Sequence, residues 1–184
     1  ASTLSQPPLS ESDSALLESH HKSSLESLSG LITKAQEEMG DMEVLAAKLT
    51  LARYSTKCLD KKQAMDAYEQ VIASPKLSTG KKLDAYLEMG RVASFYGDVP
   101  AFTDILDKAT KVIAKGGDWD RRNRLKAYKA TSQILIRDLE SASKLLVEGI
   151  ATFSCTELCD YAEFVVYAVV LGVMYFPRVE LKKS

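Results

Sequence analysis

The sequence predicts an all-α fold of tetratricopeptide-like helical hairpins stacked as an α-solenoid, and three observations carry that prediction. Apolar residues recur at spacings of three and four, which puts them on one helical face, and no segment alternates as a strand does. Gly (9) and Pro (5) are scarce and gather at a few breaks: Pro7-Pro8, Gly40, Pro75 to Gly80, Gly97 to Pro100, Gly116-Gly117 and Pro177. The segments between these breaks pair up, and the pairs recur at the period of about 40 residues that helical-hairpin repeats show.

The elements follow in order. Leu17, Leu25, Leu28, Ile32, Ala35 and Met39 form a near-heptad stripe, read as one long helix interrupted or weakened at Gly30. Helices are then predicted at about 41–58, 61–74, 79–96, 100–115, 118–137, 139–152 and 156–175. Asp60, Asp98 and Asp138 each stand between two of them, where a carboxylate can take a free amide of the following first turn. Four residues after each Asp come Ala64, Phe102 and Ala142, and twelve before those come Ala52, Gly90 and Ala130. Small residues at such marks let two helices approach, and Phe102 breaks the rule. Ser154 with Glu157 reads as a capping box ahead of the last apolar helix, which is expected to close the stack. Residues 1–12 read as a disordered tail and 13–184 as the helical-repeat domain.

Composition narrows the function. A chain of 184 residues that is 46% hydrophobic can bury a core as one domain. Lys plus Arg (24) nearly balances Asp plus Glu (25), so no strong field draws a nucleic acid or an anionic membrane. Phe164 to Phe176 is the most apolar run, and its 13 residues fall short of the ~20 a membrane helix needs. Three cysteines, Cys58, Cys155 and Cys159, are too few for a disulfide framework and point to the reducing cytoplasm or nucleus.

The search for chemistry finds little. STGKKL (Ser78 to Leu83) lacks the first Gly and the final Ser or Thr of a phosphate-binding loop. Cys155 and Cys159 can share a helical face but have no second ligand pair, and they read as buried structural thiols. His20 and His21, the two candidate general bases, lie in a Ser-rich helix and read as solvated. No catalytic residue, cofactor, metal or small-molecule substrate is assigned.

One stretch stands out: GGDWDRRNRLKAY, Gly116 to Tyr128. Its glycines can end one helix and Asp118 can cap the next. Arg121, four before Leu125 and seven before Tyr128, lies beside the apolar stripe, where its guanidinium can pair with a carboxylate on an adjacent helix. Arg122 points elsewhere, and Arg124 lies closer to the Tyr128 face. Asp118, Trp119, Asp120, Arg121, Arg122 and Arg124 are therefore the candidate site, either joining repeats or meeting a partner.

This run, with Ala151-Thr152-Phe153 and Glu157-Leu158 followed by Tyr161, resembles the N-terminal helical-repeat region of the non-ATPase subunit 7 family of 26S proteasome lid subunits, within the PCI family. The match is specific around 116–161. The resemblance implies a non-catalytic scaffold of the regulatory particle, contacting other lid subunits and the ATPase ring in ubiquitin-dependent proteolysis. Members carry a winged-helix PCI module after the repeats; the sequence stops at Leu181-Lys182-Lys183-Ser184 before one, so a fragment is expected. The alternatives are a COP9 signalosome PCI subunit or a free-standing repeat adaptor that binds peptides.

Overall fold

In the computed structural model, residues 10–75 and 77–181 are described, and among them every regular element is helical. The order is α1 (Glu11–Glu38), α2 (Asp41–Lys57), α3 (Lys61–Ile72), α4 (Thr79–Phe95), α5 (Val99–Ala114), α6 (Trp119–Leu135), α7 (Leu139–Gly149), a 3-10 turn at Ile150–Thr152, α8 (Tyr161–Tyr175) and a short α9 (Arg178–Leu181). The chain groups into two compact units that divide inside α3, after Ala67. In the first, α1 packs on α2; in the second, α4 with α5, α6 with α7, and α7 with α8 pack as sequential antiparallel hairpins. This is the arrangement of tetratricopeptide-like repeats. The expected tail falls largely on residues 1–9, outside the described residues; α1 starts at Glu11, with Ser10 accepting the Asp13 amide.

The repeat marks explain how the hairpins close. The Asp60, Asp98 and Asp138 carboxylates accept the amides of Gln63, Ala101 and Ser141 at 2.9, 3.1 and 3.2 Å. Just before each, Leu59, Gly97 and Arg137 take a left-handed φ of 57°, 67° and 66°. That conformation turns the chain, and the amide of each following Asp bonds back to Ser55, Ala93 and Gln133. Ala52, Ala64, Gly90, Phe102, Ala130 and Ala142 are all buried. Phe102 fits because of what faces it: a Cβ on Gly90 would lie 3.3 Å from the Phe102 ring. The marks are Ala with Ala in two repeats, all buried, and Gly facing Phe in the middle one.

The structure corrects four expectations. Helix α1 runs unbroken through Gly30, which is exposed and so gives up no packing; the ~1 kcal/mol a helical Gly costs is too little to break 28 residues. The last apolar helix is capped not by Ser154 and Glu157 but by Asp160 and Glu163, whose reciprocal bonds are 2.7 and 3.3 Å. Cys155 and Cys159 accordingly sit on the intervening turn, not on a helical face; Cys155 is buried and Cys159 half-buried. Finally, α8 buries Phe164, Ala168, Leu171 and Gly172 but turns Val166, Val169, Val170, Val173 and Met174 outward. A closing helix needs a polar outer face, so α8 does not provide one. No helix of the described residues is long and apolar enough to cross a membrane.

Candidate functional site

The start of α6 is fixed by its approach. Gly116 has φ 139°, a region that side chains rarely enter, and a Cβ on Gly117 would collide with Ile113. Only this pair lets α5 end and α6 begin within four residues. Asp118 then accepts the Arg121 amide at 2.9 Å, and its other oxygen takes a bond from Arg121 Nη1. The Arg121 amide holds this exposed carboxyl below its usual range.

From there two arginines turn inward. Arg121 forks onto Asp84 of α4, with Nε donating to Oδ1 at 3.0 Å and Nη2 to Oδ2 at 2.6 Å. A planar guanidinium is built for such a two-bond match to a carboxylate. The seat exists because Gly80 carries no side chain: a Cβ there would lie 3.0 Å from Arg121 Cζ. Arg124 bridges onward, donating Nη1 to Asp84 Oδ1 at 3.2 Å, and Nε and Nη2 to Glu157 Oε1 at 2.9 and 2.6 Å. The hydroxyl of the fully buried Tyr128 donates to the same oxygen at 3.4 Å.

The chain of charges Asp118, Arg121, Asp84, Arg124, Glu157 therefore ties α4, α6 and the turn before α8 into one joint. Bonding to Asp84 raises the Arg121 guanidinium further above its ordinary range. Burial pushes the Glu157 carboxyl up, but the bond and charge of the Arg124 guanidinium, with further hydrogen bonds from the Glu157 backbone and Cys155, together hold the group below the usual range. Burial raises the Tyr128 phenol and the Cys155 thiol, which keeps both neutral at physiological pH. The joint is an internally satisfied clamp with no group poised for proton transfer.

The other half of the motif faces solvent. Trp119 is 65% exposed, and Asp120 and Arg122 are exposed beside it. The candidate residues thus divide into Asp118, Arg121 and Arg124 in the joint and Trp119, Asp120 and Arg122 on the surface. Sequence reasoning placed Arg121 against a carboxylate but did not find which. A signal existed: Asp84 precedes Arg121 by 37 residues, nearly one repeat, which sets the two on neighbouring helices. Glu157, expected in a cap, instead anchors Arg124. In the first unit, His21 is half-buried against Tyr54, its Nδ1 3.3 Å from the hydroxyl and the rings stacked at 5.7 Å, beside a cleft of about 340 Å³.

A family model described as 26S proteasome subunit RPN7 matches residues 13–184. The chain belongs to the RPN7 family. Relatives of this RPN7-family chain include the 26S proteasome non-ATPase regulatory subunit 6 of Dictyostelium discoideum, 34% identical over 91% of this chain and 44% of that protein. The 26S proteasome regulatory subunit rpn7 of Schizosaccharomyces pombe is 37% identical over 82% and 38%. RPN7 of Saccharomyces cerevisiae is 34% identical over 89% and 38%. The RPN7-family chain described above spans less than half the length of these relatives.

Proposed function

We propose that this chain is the helical-repeat arm of a non-catalytic scaffold subunit of the 26S proteasome lid, working in the cytoplasm and nucleus in ubiquitin-dependent protein degradation. Its partners on this reading are other lid subunits and the ATPase ring. Membership of the RPN7 family is the observation that carries the reading, and relatives are named as non-ATPase subunits of the 26S proteasome. The geometry supports it: the strongest charges at the conspicuous motif are consumed in holding hairpins together, while Trp119, Asp120 and Arg122 are left at the surface. Trp and Arg dominate binding energy at protein interfaces.

The test is co-purification with a tagged natural full-length chain that carries this sequence. Lid subunits are expected in the eluate, and an arm that leaves them behind defeats the proposal. Trp119→Ala and Arg122→Glu are expected to reduce incorporation while the melting temperature stays within about 2 °C of the parent, since both side chains are exposed.

A further inference from the structure

A second surface emerges from the repeat itself. The last helical residue and the C-cap are large and apolar at the ends of three alternate helices: Phe95-Tyr96 on α4, Leu135-Ile136 on α6 and Tyr175-Phe176 on α8. Their positions step by forty. The turns do not need these side chains to close, because the first two ends are closed by backbone bonds through Gly97 and Arg137 and the amides of Asp98 and Asp138. Nor are they buried. Phe95 is 70% exposed, Tyr96 39%, Leu135 43%, Ile136 47% and Tyr175 40%, with Phe95 and Tyr96 propped edge to face at 5.2 Å.

In sequential antiparallel hairpins α4, α6 and α8 run the same way, so these ends fall on one edge of the second unit. Helices α4 and α6 touch, and packed helices lie 8–10 Å apart, which spaces the first two dyads by about 10 Å; α8 reaches the same edge through α7. Seven residues of helix rise about 10.5 Å. With large side chains offering ~150–250 Å² each, the exposures above leave on the order of 500 Å² of apolar surface, over half of one partner's ~800 Å² share in a standard interface. Charge narrows the partner. Arg137 directly follows the second dyad and Arg178 closely follows the third; both are exposed, and neither joins an ion pair among the described residues. The nearby acids Asp98 and Asp138 are turned back to cap their own helices.

We propose that this edge docks an amphipathic helix of another polypeptide, with apolar residues about seven positions apart to meet the first two dyads and acidic residues beside them to meet Arg137 and Arg178. The inference rests on the reading of the chain as a protein-binding arm, but not on which assembly it joins.

A photo-crosslinking phenylalanine analogue placed in turn at positions 95, 135 and 175 of the natural full-length chain, within its purified assembly, tests it. All three are expected to mark one segment of one other polypeptide, those from positions 95 and 135 about seven residues apart, with acidic neighbours. Marks that scatter over unrelated segments, fall on a second copy or on the chain itself, or fail to form overturn the proposal. If the marked polypeptide belongs neither to the proteasome lid nor to the ATPase ring, this inference stands and the lid reading falls; a lid partner met elsewhere gives the reverse. A Phe95→Ser/Leu135→Ser variant is expected to melt like the parent yet lose the partner by tenfold or more, and retained binding also overturns the edge.

Discussion

Glu157 shows how much a single side chain can join. Its Oε1 takes bonds from Arg124 and from Tyr128, and its carboxyl is held low despite burial. On acidification the unfolded chain therefore takes up this proton first. The stability the group contributes is complete above pH ~4.3, the ordinary glutamate value, and drains away as pH falls through the lower folded value. Glu157→Gln is expected to be less stable at pH 7 and to lose less further stability between pH 5 and 3 than the parent; urea midpoints across that range measure it. Arg137 makes a different residue-scale point. It holds φ 66° without being Gly, in the position where the preceding repeat places Gly97. Arg137→Gly is expected to stabilise by about 1 kcal/mol, the cost of the left-handed region to an ordinary residue, read as a higher urea midpoint with unchanged slope.

At the scale of the elements, the hairpin is a fixed closure with variable filling. Cap, left-handed residue and buried small pair recur three times, and the middle pair trades volume between partners: Gly90 gives up its Cβ and Phe102 takes the space. Phe102→Ala is expected to cost about 3–5 kcal/mol through the cavity it opens. Adding Gly90→Ala should then recover part of that loss, whereas in the parent the same change crowds the ring; a double-mutant cycle reads the coupling. The apparent exception to the Ala rule is thus part of it. Helix boundaries were legible wherever a Gly or a capping Asp marked them. The start of α8 was not, because Ser154/Glu157 and Asp160/Glu163 both spell a capping box. The Arg124 guanidinium engages Glu157, which leaves the second pair to cap the helix.

At the scale of the molecule, Arg121 and Arg124 are used internally, and the proposed scaffold reading rests on the surfaces left outside that joint. Trp119→Ala separates the two roles: a large drop in melting temperature contradicts its exposure, while a normal melt with poor incorporation supports an interface. The sequence by itself determined the all-α class, the hairpin period, the Asp60, Asp98 and Asp138 caps and the family resemblance, because each is written in residues close along the chain or in a recurring spacing. It could name the arginines of the joint, but not Asp84 as their shared anchor, nor that Trp119 faces outward. Those were decided by tertiary structure: which carboxylate a guanidinium reaches, and which side of a helix is covered, depend on how neighbouring hairpins pack, and that packing brings together residues a whole repeat apart.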